Sequence, residues 1–244
     1  MKVSVGAIRA ATSVLGLLLV LGSSSFAADE FETADLLIKL LKTGRTVVSE
    51  NQALINDPNR ADKAFTPEVF GARMIEKFRD QTRIDLNRPN NSLQHRLLLD
   101  LVDSGRQVIA QYQPVINKRG IGFKNVLPAV VARKTGERFY AKTGIRLKLT
   151  AIDYRYPGNK PDQFEAEVLK MFVDPRYPKG QDYARTIKAD GRKMLRVMSP
   201  EYASASCLSC HGEPKGDKDI TGGRKEGWKE GDFGGAISLV MPVQ

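Results

Sequence analysis

The sequence predicts an α+β fold, with N-terminal helices packed on an antiparallel sheet and a glycine-rich segment before the last strand. Three observations carry this. Apolar residues recur at helical spacing until about residue 142, and from Ile145 the period shortens to two. An Asp-Gly pair then sits between two strand-like runs, the mark of a hairpin. No glycine-rich phosphate loop follows a strand, so a parallel nucleotide-binding sheet has no support.

Taken in order, Leu36, Leu37, Leu40, Leu41, Val47, Val48, Leu54 and Ile55 mark a first helical stretch, stopped by Asn56-Asp57-Pro58. Thr66-Pro67-Glu68 opens a second helix, with a hydroxyl cap before proline at the first helical position. Val69, Phe70, Met74 and Phe78 share its face. A third helix follows Asn91-Ser92, burying Leu93, Leu97, Leu101 and Val108 and ending before Pro114. A fourth runs from about Leu127 to Lys142 and closes on Gly144 in the left-handed conformation. Ile145, Leu147, Leu149 and Ala151 alternate with polar residues as a half-buried strand. A short amphipathic helix spans about Asp162 to Phe172, bounded by Pro161 and Pro175. Tyr183–Lys188 and Arg192–Met198 flank Ala189-Asp190-Gly191 as the hairpin, and Ala236–Val243 is the last strand. No internal repeat is visible.

The 244 residues, 41% apolar and 27% charged, are enough for one domain with a real core and exclude collagen-like, low-complexity and wholly disordered chains. The only long apolar run is N-terminal, which excludes a multi-span membrane protein. Residues 1–28 read as a secretory signal: Lys2 and Arg9 are followed by apolar Ala10–Leu21, and Ser25-Phe26-Ala27 places small residues where a signal peptidase reads. The run falls short of the roughly 20 residues that span a bilayer; an uncleaved anchor is the alternative. Cleavage near Ala27 leaves a single domain, 29–244, exported to the periplasm without stable membrane insertion. The formal charge of the chain is +10. Such an excess points to an anionic partner.

Both cysteines fall in Cys207-Leu208-Ser209-Cys210-His211, the C-x-x-C-H attachment signature of c-type haem. Two thiols at this spacing match the two vinyl groups of the porphyrin, and the next residue is then placed to ligate the iron through its imidazole. Two cysteines and a histidine fall into this pattern by chance on the order of once in 10,000. The expected cofactor is one covalent haem c on Cys207 and Cys210, with His211 as proximal iron ligand. A disulfide or thiol-redox pair is the first alternative in an oxidising compartment. Zinc would want four N/S ligands, and the chain has two Cys and two His in all. Eight of the 21 glycines lie between Met198 and Gly235, which suits a haem-attachment loop closely wrapped around a macrocycle. A long flexible surface loop is the plainer reading. Lys215, Lys218, Arg224, Lys225 and Lys229 within it read as a solvated face, or as contacts to propionates or to an acidic partner.

Several words recur in one family in this order: Gly122-Phe123-Lys124, Leu127-Pro128-Ala129, Lys142-Thr143-Gly144-Ile145, Asn159-Lys160-Pro161-Asp162, Asp190-Gly191-Arg192, Cys207–Gly212, Pro214-Lys215-Gly216 and Gly234–Ser238. The chain resembles the exported single-haem c-type domains catalogued as a domain of unknown function, from about residue 32 to 243. The resemblance implies a PAS-like sheet, with Cys207 and Cys210 attaching the haem and His211 ligating it. Some members are the sensory part of membrane signalling proteins. One branch uses a third cysteine as distal ligand, and this chain has none. Distal ligation stays open between His95, Met74, the methionines at 171, 194, 198 and 241, and no protein ligand. His95 projects to the margin of its helical stripe, as a partly exposed surface residue, and Met74 reads as core.

No dehydrogenase, nucleotide or second-cofactor signature accompanies the motif, so the chain reads as a non-enzyme. The first functional reading is a periplasmic mono-haem c-type cytochrome that transfers single electrons to and from a redox partner, acidic if charge guides the encounter. The second is a haem-based redox or gas sensor acting through a separate partner. The third is a C-x-x-C protein without haem. Export and the lack of a basic, aromatic-interleaved patch argue against nucleic acid.

Overall fold

The structure, a computed structural model, describes residues 22–189 and 191–243, with side chains from Asp29 onward. Of the expected signal segment only 22–28 falls among them, as helical backbone; the remainder lies outside the described residues. Among the described residues no helix is long and apolar enough to cross a membrane.

The helical half consists of α1 (Gly22–Glu50), α2 (Gln52–Ile55), α3 (Pro67–Thr82), α4 (Leu93–Ile116) and α5 (Pro128–Thr143). Their starts follow the caps read from sequence. Thr66 accepts from the Val69 amide, Ser92 from the His95 amide, and Gly144 closes α5 at φ 73°. The sheet is β1 (Arg146–Thr150), β2 (Tyr183–Ala189), β3 (Arg192–Tyr202) and β4 (Phe233–Pro242), in the order β1-β4-β3-β2 and antiparallel throughout. Ala189 pairs with Arg192 across the two-residue turn, and Gly191 has φ 75°.

Strand alternation sorts the sheet's two faces. Leu195, Val197, Ile237 and Leu239 join α1, α3, α4 and α5 in one large core. Met198 and Ala236 point the other way, onto Val168, Leu169 and Phe172 of α6 (Gln163–Phe172). A capping box starts α6: Asp162 accepts from the Glu165 amide, and Glu165 accepts from the Asp162 amide. The architecture is therefore three layers, with β3 buried on both faces. Pro200 lies in β3 beyond the last β2 partner, Met198, where β3 has a neighbour on the β4 side only.

The structure overturns the expectation that no repeat exists. Shifted by 61 residues and without a gap, 17 of the 51 positions from Leu36/Leu97 to Leu86/Leu147 are identical, too many for two unrelated hairpins. Among them are Gly44/Gly105, Arg45/Arg106, Asn56/Asn117, Lys63/Lys124, Pro67/Pro128 and Phe78/Phe139. Local structure repeats with them. The αL caps Arg83 and Gly144 correspond, as do the positive-φ residues Ala64 and Asn125. Thr82 and Thr143 each donate to the carbonyl four residues back. Buried Lys63 and Lys124 each donate Nζ to a carbonyl three residues back, of Arg60 and Ile121. The two copies also clasp reciprocally: the Lys63 amide donates to Asn117 Oδ1 (3.2 Å) and the Lys124 amide to Asn56 Oδ1 (3.0 Å). Such exchange is the signature of a twofold relation, here inside one chain.

The repeat also bears on one helix boundary and on the exposure of two residues. α4 continues through Pro114 to Ile116, where a stop before the proline was expected. Its end is set by Asn117 and buried Ile116, the counterparts of Asn56 and Ile55, and a proline this near the terminus disturbs few helical bonds. Leu93 is 62% exposed, like Glu32 at its counterpart position. His95 is buried (7% exposed), matching fully buried Ala34, and is not the partly exposed residue expected.

Candidate functional site

The glycine-rich segment after β3 is not the structureless loop its composition suggests. A turn of 3₁₀ helix (Ala205–Cys207) runs directly into α7 (Leu208–His211), so that Cys207, Cys210 and His211 come together on one short helical stretch. Residues 216–225 then form a small hairpin. The Gly216 amide donates to the Lys225 carbonyl and the Lys225 amide to Asp217, both at 2.8 Å, with Lys218 and Arg224 bridged between them. Arg224 and Lys225 spend their side chains on the loop's own carbonyls, of Gly216 and Glu213. The segment returns to the sheet at Gly235, whose φ of 130° and approach to the Thr150 carbonyl leave no room for a Cβ.

His211 is held on three sides. Its Nδ1 lies 2.8 Å from Glu226 Oε2. Its ring stacks on Trp228, centroids 4.5 Å apart and planes 11° from parallel. Its carbonyl accepts from the Trp228 amide at 2.9 Å. The stack contributes about 1 kcal/mol and fixes the ring's rotation. Burial alone would raise the Glu226 carboxyl's pKa, but hydrogen bonds and charge from Arg155 and His211 outweigh it and hold the group below the ordinary range. An ionised Glu226 can only accept, so Nδ1 is the donor of this pair and Nε2 is the ring nitrogen left for a ligand.

Arg155, from the segment after β1, ties these parts together. Its Nε donates to Glu226 Oε1 (2.7 Å) and its Nη2 to Glu226 Oε2, the Cys210 carbonyl and the Arg224 carbonyl (2.8 Å each). Its Nη1 meets Asp219, whose side chain is fully buried. Burial alone would raise the Asp219 carboxyl too. Hydrogen bonds from the Thr221 hydroxyl, Arg155 and the Thr221 amide reverse that and bring it down to about 2. A Cβ on Gly223 would stand 2.8 Å from Arg155 Nη1, so this glycine is what admits the guanidinium.

Cys207 and Cys210 are free, half-buried thiols, with the Ser204 and Ser209 hydroxyls beside their sulfurs at 3.4 and 3.8 Å. Two thiols at this spacing, followed by an imidazole whose Nδ1 is engaged by Glu226, suit a covalently held porphyrin iron. Among the described residues no group of three or more His, Cys, Asp or Glu is arranged to hold a metal ion. A haem iron needs none, since the macrocycle supplies four ligands.

Two of the distal candidates, Met74 and His95, sit in the helical half. Met74 is buried in the seam between α1 and α3, its sulfur packed over Gly44, and His95 lies on α4 where Gln94 donates to Thr33 of α1. Helices α3 and α4 pack on α1 and on each other, and α4 on α5, rather than on the 205–211 turn. Sequence reasoning missed Glu226, Trp228, Arg155 and Asp219. The lone tryptophan of the chain within the glycine-rich segment was the one available sign.

The family model described as Tll0287-like (Tll0287) matches residues 25–242. A solved structure described as the crystal structure of the cyanobacterial heme-protein Tll0287 is similar over 64% of this chain and 99% of that one, at 18% identity and a TM-score of 0.42. No curated protein matches the chain.

Proposed function

The chain belongs to the Tll0287-like family, and from that premise we propose that it is an exported mono-haem c-type protein that carries single electrons. One haem is held by thioethers to Cys207 and Cys210, with His211 Nε2 as the proximal ligand; bound there, it supplies the one-electron couple. The observation that carries the reading is the Glu226–His211–Trp228 arrangement, which fixes the tautomer and rotation a proximal histidine needs. The PAS-like description of the sheet, periplasmic location and cleavage near Ala27 belong to this proposal, as does the absence of catalysis by the protein itself.

The chain's formal charge of +10, with Lys215, Lys218 and Lys229 exposed in the segment that carries the site, supports an acidic redox partner whose association rate falls steeply as salt rises. A rate independent of salt contradicts that part. The sensor reading is separated by the ferrous spectrum with and without CO. A spectrum unmoved by CO marks two strong axial ligands and electron transfer, while a rapid CO shift marks an open position and favours sensing. His211→Ala tests the proximal assignment: the haem stays covalently bound while its ferrous spectrum changes. An unchanged spectrum would refute His211 as ligand.

A further inference from the structure

Glu226 does not face His211 alone. Its Oε2, the oxygen at the imidazole Nδ1, also accepts from Arg155 Nη2, and its other oxygen accepts from Arg155 Nε. Arg155 in turn has little freedom, being anchored by buried Asp219 and by the carbonyls of Cys210 and Arg224. One guanidinium from the segment after β1 thus grips the attachment helix, the 216–225 hairpin and the carboxylate behind the histidine. A carboxylate that accepts the Nδ1 proton pushes electron density onto the imidazole, which favours the oxidised metal; a cation sharing that carboxylate moderates the push.

We propose that Arg155 is a positioning residue for the proximal histidine: it clamps Glu226 and shares its charge, and so sets how strongly that carboxylate polarises His211. The proposal rests on the haem reading above and deepens it. Removing Arg155 and removing the charge of Glu226 then act in opposite directions. An Arg155 that merely held the loop closed would not do this, because loosening the loop by either change exposes the same site to the same water.

The test is the midpoint potential of the full chain carrying its haem, for the parent, Arg155→Gln, Glu226→Gln and the double variant. Glu226→Gln raises the potential and Arg155→Gln lowers it, and the Arg155→Gln shift becomes smaller when Glu226 is already Gln. An Arg155→Gln shift that is absent, upward, or equal in both backgrounds overturns the proposal. If Arg155→Gln does not fold, Arg155→Lys replaces it: the charge is kept and the two-pronged grip on the carboxylate lost, so the potential falls below the parent's, and a value at or above the parent's overturns the proposal. A parent protein that matures without covalent haem refutes the haem reading instead, which keeps the two failures distinct.

Discussion

Replacing Asp219 with Asn removes the charge to which Arg155 is anchored while keeping an oxygen for the Thr221 and Gly223 donors. The cost follows from titration. The folded carboxyl is held at about 2 against an ordinary 3.8, a gap of nearly two units at about 1.4 kcal/mol each, so ionised Asp219 contributes about 2 kcal/mol at neutral pH. Because the folded value is the lower one, this stability is complete above the unfolded value and is lost as pH falls towards 2. At pH 3 about half has gone. Urea unfolding of parent and Asp219→Asn at pH 7 and pH 3 reads both numbers. The expected difference is about 2 kcal/mol at pH 7, a fall in melting temperature of about 4–8 °C, shrinking to about 1 kcal/mol at pH 3. A difference below about 0.5 kcal/mol at pH 7, or one that does not change with pH, refutes the reasoning.

The internal twofold makes a paired prediction: Asn56→Ala and Asn117→Ala each strand one loop amide, cost about 1–2 kcal/mol by urea unfolding, and match each other within about 0.5 kcal/mol. Gly235→Ala sets a Cβ 2.5 Å from the Thr150 carbonyl at φ 130° and lowers stability by more than about 2 kcal/mol, seen in the melting temperature. Thr66→Ala removes the cap of α3 at about 1 kcal/mol; a loss within error would show that Pro67 alone starts the helix.

What the sequence made legible was local. The Thr66-Pro67 start, the Gly144 stop and the Ala189–Arg192 pairing of the hairpin all depend on residues within a few positions of one another, and each stands where it was read. The 61-residue repeat is spread thinly, since 34 of its 51 paired positions differ, among them the core pairs Leu41/Val102 and Phe65/Val126, and its identical positions form no contiguous word longer than two residues. Exposure at the start of α4 depends on how far the neighbouring helices reach, which no helical projection contains. The C-x-x-C-H motif announced its own chemistry, but the groups that orient His211 did not: Arg155 meets its partners 55 to 71 residues away, and no spacing rule joins them.

The most direct test of the central claim is the intact mass and pyridine haemochrome spectrum of the chain, exported alongside c-haem maturation machinery and compared with Cys207→Ser/Cys210→Ser. The account predicts one covalent haem per chain, absent from the double variant. A bare polypeptide two hydrogens light would mean that the two cysteines form a disulfide, and would contradict it.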